Sequence, residues 1–201
     1  VLAFPMYLTA IWLLWVLGKQ RGVDAMALVA AALALFALAL WWHERRRWAG
    51  GAAGRLLALL LAALALWPVA KVGSLPPPQR VAQAAEGAHE AWTAERLQAL
   101  RDEGRVVFVN MTADWCVTCK ANEKRVLSQA AFRAALGDAQ AAYLVGDYTN
   151  TDPAITALLD AHRAVGVPLY VVYPAGGGEG EVLPALLSDD IVVAALQRAA
   201  Q

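Results

Sequence analysis

The apolar residues of this chain fall into two regimes. Up to about Leu75 they run almost unbroken; beyond it they alternate or recur with the periods of ordinary folded elements. In the first regime Val1 to Gly18 and Ala25 to Trp42 carry no charge, and Leu56 to Val72 carries only Lys71 near its far end. Each run is long enough, or nearly so, to cross a bilayer as a helix. Pro5 lies near the start of the first run, where it costs a helix least. Lys19, Arg21 and Asp24 mark a short polar turn, and His43-Glu44-Arg45-Arg46-Arg47 with Gly50, Gly51, Gly54 and Arg55 marks a looser loop. Trp12, Trp15, Trp41, Trp42 and Trp67 read as interfacial aromatics, and Lys71 can extend its ammonium to the interface. Core helices of a large soluble protein would not be edged by tryptophan and basic residues three times in series. The pattern predicts three transmembrane helices over 1–73. The first run is already under way at Val1, without an initiator methionine or a basic leader, so we expect a fragment of a longer membrane protein.

Ser74-Leu75-Pro76-Pro77-Pro78-Gln79 breaks the pattern, because consecutive prolines favour an extended spacer. We read 74–90 as a Pro/Ala-rich linker and 91–201 as a folded domain. Within it, Thr93 is a candidate N-cap with Glu95 in the first turn, and Gly104 is a natural helix stop. Val106 to Met111 is β-branched and apolar enough for a buried strand. Lys120 to Leu127 reads as helix, and Ser128 is a candidate cap for a further piece through Phe132 to Leu136. Ala141 to Tyr148 reads as a strand. Thr151-Asp152-Pro153 starts a helix that runs to about Arg163. Val167 to Tyr173 is a proline-led strand. Gly176 to Gly180 is a hairpin loop, and Glu181 to Pro184 is its partner strand. Ser188 caps a last helix, Asp189 to Ala199. A leading helix followed by β-α-β-α-β-β-α predicts an α/β domain, with a mixed central sheet and helices on both faces.

Charge adds orientation and removes one class of partner. Lys and Arg number 17, Asp and Glu 17, so there is no basic excess of the kind nucleic acid attracts. The loop with Arg45, Arg46, Arg47 and Arg55 outweighs the turn with Lys19 and Arg21, which places the Arg-rich loop in the cytoplasm. The folded domain then lies on the far side of a lipid bilayer, in the periplasm or its equivalent.

The candidate chemistry lies in Asp114-Trp115-Cys116-Val117-Thr118-Cys119-Lys120, which holds both cysteines of the chain. The pair sits where a strand hands over to a helix. Unpaired N–H groups and the positive end of the helix dipole favour thiolate there. At this spacing two sulfurs can close a disulfide with little backbone movement. Cys116 is the expected exposed nucleophile, and Cys119 lies one turn further in, which is equipment for thiol–disulfide exchange. Zinc would want four ligands, and His43, His89 and His162 are scattered, so no metal is expected. An inert structural disulfide is the plainer alternative. No cofactor beyond the cysteine pair is called for. Trp115 reads either as a shield and contact surface beside the sulfurs or as an ordinary aromatic at a strand end. Lys120 adds a positive charge beside Cys119, or is a solvated surface lysine.

Ala113 to Lys120 resembles the active-site segment of the thioredoxin superfamily. With hydrophobic spans upstream, the chain most resembles the C-terminal part of the DsbD family of membrane thiol:disulfide interchange proteins. That resemblance implies a thioredoxin-like fold and a reductase that brings electrons to the bacterial periplasm from the inner membrane. Periplasmic thiol–disulfide proteins would be the acceptors, and a cysteine pair in membrane spans upstream of this chain the donor. It also implies that Pro168, in Gly166-Val167-Pro168, is a cis-proline beside the cysteines, with Val167 offering backbone hydrogen bonds to an extended partner. Relatives often carry a buried acid six positions ahead of the first cysteine, where this chain has Asn110. An amide cannot take a proton from Cys119, and Glu123, one helical turn beyond Cys119, is the nearest candidate to replace it. The alternative for Glu123 is a surface ion pair with Lys120. Two rival functions stay open: a membrane-tethered thiol oxidase, since direction depends on reduction potential, and a client-binding module without turnover.

Overall fold

The computed structural model describes residues 3–47, 52–75 and 89–201. The chain divides into two compact units, Val1–Gln79 and Arg80–Gln201. Of the linker expected over 74–90, residues 76–88 lie outside the described residues.

The first unit is helical: α1 Ala3–Arg21, α2 Val23–Arg47 and α3 Ala52–Val72. Gly22, at φ +86°, turns α1 into α2, a left-handed conformation that glycine adopts without penalty. Ala25, Ala32 and Ala39 of α2 and Ala58 and Ala65 of α3 are buried, while Leu33, Phe36, Leu59 and Leu60 face outward. Steps of seven residues keep these alanines on one stripe, and small side chains let two helix backbones approach closely. Lys19 stacks over Trp15, Arg45 over Trp41 and Lys71 over Trp67, at 5.4, 5.3 and 5.8 Å. All three pairs have the i,i+4 spacing that puts side chains on one helix face. Among the described residues, one segment is long and apolar enough by itself to cross a membrane, Val23–Arg45, with mean hydropathy 2.4. The apolar part of α3 is shorter, at Leu56–Val72. Pro5, Tyr7, Thr9, Lys19 and Gln20 dilute α1. By this measure the three expected spans reduce to one.

The second unit is a five-stranded mixed sheet in the order β1-β3-β2-β4-β5. Its strands are β1 Glu90–Ala91, β2 Val107–Thr112, β3 Ala142–Asp147, β4 Leu169–Tyr173 and β5 Glu181–Val182. The helices are α4 Ala94–Asp102, α5 Val117–Asn122, α6 Ala130–Asp138, α7 Pro153–Ala161 and α8 Asp189–Ala199. β1 and β2 both run parallel to β3; β4 is antiparallel to β2, and β5 to β4. All of β2 is buried, as a central strand with both faces covered must be. Because side chains alternate, Val107, Val109 and Met111 join Leu100 of α4 and Ile155 and Leu159 of α7 in one core. Phe108 points the other way, to Phe132 of α6, Tyr170, and Val192 and Leu196 of α8. The Phe108 and Phe132 rings meet edge to face at 5.1 Å, and burying each phenyl group contributes about 2–3 kcal/mol.

Caps set most boundaries. Thr93, Asp152 and Ser188 accept N–H groups at the starts of α4, α7 and α8, with Pro153 in the first turn of α7. Gly104, at φ +70°, lies just past the end of α4. Two local expectations need correction. The helix after the cysteines is not uniform: α5 gives way to a π-turn at Glu123–Leu127, closed by Ser128 N–H to Glu123 O at 2.9 Å. The extra residue moves the next start along, so Gln129 takes the N-cap position of α6. Ser128 instead turns its hydroxyl back to Lys124 O at 3.1 Å. The edge strand β1 begins at Glu90, at the end of the linker expected over 74–90.

Candidate active site

β2 ends at Thr112 and the chain turns at once into α5. The Cys116 N–H donates to Ala113 O at 3.2 Å, closing the turn, and Cys116 takes the N-cap position of α5. Its sulfur accepts the Cys119 N–H at 3.1 Å. That bond satisfies one of the unpaired donors of the helix start and puts the Cys116 sulfur where negative charge is favoured. Cys116 and Cys119 are joined in a disulfide, with Cα atoms 5.2 Å apart. Cys116 is 6% exposed and Cys119 fully covered, so the first sulfur is the one a partner can reach. Next to it, Val117 is 71% exposed.

Trp115, Ala113 and Val167 pack against the pair. The Val167–Pro168 peptide bond is cis, at the entry to β4. Strand, turn, helix and proline loop therefore converge on the two sulfurs.

The charged residues form a small chain beside them. The Lys120 ammonium lies 3.4 Å from Asp114 and 3.0 Å from Glu123. Glu123 also accepts the Thr112 hydroxyl at 2.8 Å. The expected ion pair of Glu123 with Lys120 is present, and the carboxylate is also anchored to the end of β2. The Lys120 and Glu123 side chains are 42% and 33% exposed, so the ion pair itself contributes about half a kcal/mol.

Asn110 lies deeper, 1% exposed. Its Nδ2 donates to the Tyr143 hydroxyl at 3.0 Å, while its Oδ1 has no hydrogen-bond partner. Burial pushes the Tyr143 hydroxyl pKa up, against the Asn110 donation that lowers it. Asn110, Thr112, Asp114, Lys120, Glu123 and Tyr143 all line one groove of about 480 Å3. The amide that stands at the family's acid position and the carboxylate offered in its place therefore share a cavity.

Two buried polar residues of the site carry no obvious sequence signal. Asn122 donates to the Tyr170 hydroxyl at 3.0 Å and to Ala185 O at 2.8 Å, and accepts the Leu187 N–H at 3.3 Å. It ties the cysteine helix to β4 and to the loop before α8. Thr149, after β3, accepts the Asp114 N–H at 2.8 Å through its hydroxyl and the Trp115 indole N–H at 3.2 Å through its carbonyl. A polar residue one turn past Cys119 could have drawn notice to Asn122; nothing in the sequence around Thr149 sets it apart from loop.

A family profile described as thioredoxin-like matches residues 88–175. The thiol:disulfide interchange protein DsbD of Salmonella paratyphi A is 30% identical over 185 residues, covering 89% of this chain and 30% of that protein. DsbD 1 of Pseudomonas aeruginosa is 35% identical over 85 residues, 41% of this chain and 14% of that protein. The second unit carries a thioredoxin-like domain, and the chain is similar along most of its length to the DsbD family. Among solved structures, the oxidised C-terminal domain of Neisseria meningitidis DsbD is 26% identical, with TM-score 0.46, covering 55% of this chain and 98% of that one. The chain thus spans about 30% of the length of the DsbD relatives it matches along most of its own length.

Proposed function

We propose that this chain is the C-terminal portion of a DsbD-like protein-disulfide reductase. Its periplasmic domain passes electrons to other proteins by thiol–disulfide exchange at Cys116 and Cys119. The observation that carries this reading is the placing of the Cys116 sulfur at the helix start, bonded by the Cys119 N–H and more exposed than its partner. In the reduced chain the Cys116 thiolate attacks one sulfur of a partner's disulfide. A new S–S bond forms, and the other partner sulfur leaves as thiolate, taking up a proton. The Cys119 thiol then gives up its proton and attacks the Cys116 sulfur. The intramolecular disulfide closes and the second partner sulfur departs. Two electrons have moved from the dithiol to the partner. In this reading Glu123, one helical turn beyond Cys119, takes the Cys119 proton directly or through water. The backbone of Val167, beside cis-Pro168, is free to align an extended partner segment.

Regenerating the dithiol needs a reductant. Both cysteines of this chain are in the exchange pair, and by analogy with the DsbD family the donor is a cysteine pair in membrane segments of a longer protein. We read 1–73 as three spans of that membrane part, with 74–90 as linker and 91–201 as the periplasmic domain. The three lysine or arginine contacts with tryptophan, one on each of α1, α2 and α3, support interfacial ends for all three helices. The test of the redox reading is entrapment. Cys119→Ala should accumulate a mixed disulfide through Cys116 with a periplasmic protein, and Cys116→Ala should not. Equal trapping by both variants, or by neither, would contradict the assigned roles.

A further inference from the structure

The turn that presents the nucleophile is held from outside by a residue with no part in the exchange itself. Thr149 lies between β3 and α7 and is 2% exposed. Its hydroxyl accepts the Asp114 N–H at 2.8 Å and donates to Asp147 Oδ1. Its N–H donates to the same Asp147 oxygen at 2.9 Å. Its carbonyl accepts the Trp115 indole N–H at 3.2 Å. The two residues that precede Cys116 are thus both tied to one buried threonine. The Asp147 carboxylate fixes the direction of the hydroxyl proton, which leaves the oxygen lone pairs for Asp114. A serine could make the same bonds; a valine of the same shape could not.

This matters for the sulfur. Cys116 continues the turn, and its sulfur meets the Cys119 N–H at 3.1 Å. A hydrogen bond to the charged form favours that form, so the thiolate depends on the sulfur staying where this donor points. We infer that Thr149 is a positioning residue of the redox centre. Its hydroxyl holds the Asp114–Trp115 turn so that the Cys116 sulfur stays on the Cys119 N–H and the Trp115 ring stays packed on the pair. The inference rests on the exchange reaction proposed above. The competing account is that Thr149 only steadies the loop after β3, in which case its loss lowers stability and leaves Cys116 unchanged.

The two accounts separate in the full-length chain, purified in detergent and reduced. The rate of Cys116 modification by iodoacetamide is followed against pH by peptide mass spectrometry for wild type, Thr149→Val and Thr149→Ser. Single-turnover exchange with glutathione disulfide is measured alongside. The charged groups around the turn, Asp114, Lys120, Glu123 and Asp147, are the same in all three proteins. Thr149→Val should move the midpoint of Cys116 reactivity upward by about half a unit or more and slow exchange at pH 7 about threefold. Thr149→Ser should restore both. Should valine prevent folding, Thr149→Ala removes the hydroxyl without added strain and should show the same upward shift. A midpoint unmoved in the valine or alanine variant, whatever its melting temperature, overturns the inference, as does a serine variant that behaves like valine. A wild-type chain that fails to exchange with any disulfide would instead remove the parent reading of a redox pair.

Discussion

Asn110→Asp tests how the interior behind the cysteines treats charge. Asn110 is 1% exposed, with Nδ2 on the Tyr143 hydroxyl and Oδ1 unpaired. An aspartate there loses the Nδ2 donor, at a cost of about 1 kcal/mol. Tyr143 can rotate its hydroxyl proton toward the new carboxyl. The larger effect is desolvation, which disfavours the carboxylate and raises the folded-state pKa by about 2–3 units above the unfolded value near 3.9. Glu123, on the same groove, pushes in the same direction. With the folded pKa raised, the carboxyl is neutral in both states below about pH 4, and little beyond the lost donor is felt there. As pH rises through the folded pKa, the unfolded chain ionises first and stability falls. At 1.36 kcal/mol per unit, the loss reaches about 3–4 kcal/mol above the folded pKa. Urea titrations of wild type and variant, from pH 4.5 to pH 8, measure the difference. A difference that stays flat over that range, or shrinks as pH rises, refutes a desolvated carboxyl at this position.

Glu123→Gln keeps the fold and most of the Thr112 contact but breaks the Lys120 pair; stability should fall by no more than about 1 kcal/mol. If Glu123 takes the Cys119 proton, the variant resolves mixed disulfides more slowly and with an altered pH–rate profile, whereas an identical profile leaves water as the acceptor. An impermeant maleimide, added to cells with the outer membrane opened and the disulfide reduced, should label Cys116; labelling only after inner-membrane lysis would put the domain in the cytoplasm. Gly146→Ala should destabilise the second unit by about 1–3 kcal/mol, because a Cβ on β3 would collide with the Met111 side chain on β2; a melting temperature equal to wild type would show that Met111 yields freely.

The sequence carried the redox centre because its information is local. Two cysteines at a fixed spacing, a β-branched run before them and a helix after them all lie within one short stretch. The α4, α7 and α8 starts were legible for the same reason: Thr93, Asp152 and Ser188 cap N–H groups two or three residues away. The losses are all non-local or below the resolving power of pattern. β1 has two residues, too few to alternate, and exists because β3 offers it an edge. The π-turn at Glu123 adds one residue to a helix whose composition is unremarkable. Thr149 meets Asp114 across 35 positions of sequence, and Asn122 meets Ala185 across 63. Periodicity is blind to both. The three apolar runs are plain as runs, but only α2 is long and apolar enough by itself among the described residues: Tyr7 and Thr9 dilute α1, and the apolar part of α3 is shorter.

The short edge strand also has a mechanical reading. β1 is held to β3 along the strand direction, with the Trp92 N–H on Val145 O at 2.9 Å and Glu90 braced by Arg96 at 2.6 Å. A pull arriving from the N-terminal side reaches this seam before it reaches the main sheet. Peeling away residues 90–92 would lengthen the tether by roughly 10 Å, at about 3.3–3.6 Å per residue, while β2, β3 and β4 stay paired and the disulfide keeps its surroundings. Such a seam would give way before the strands that carry the redox centre, because β1 pairs with one neighbour over two residues whereas β2 is paired along its length on both sides.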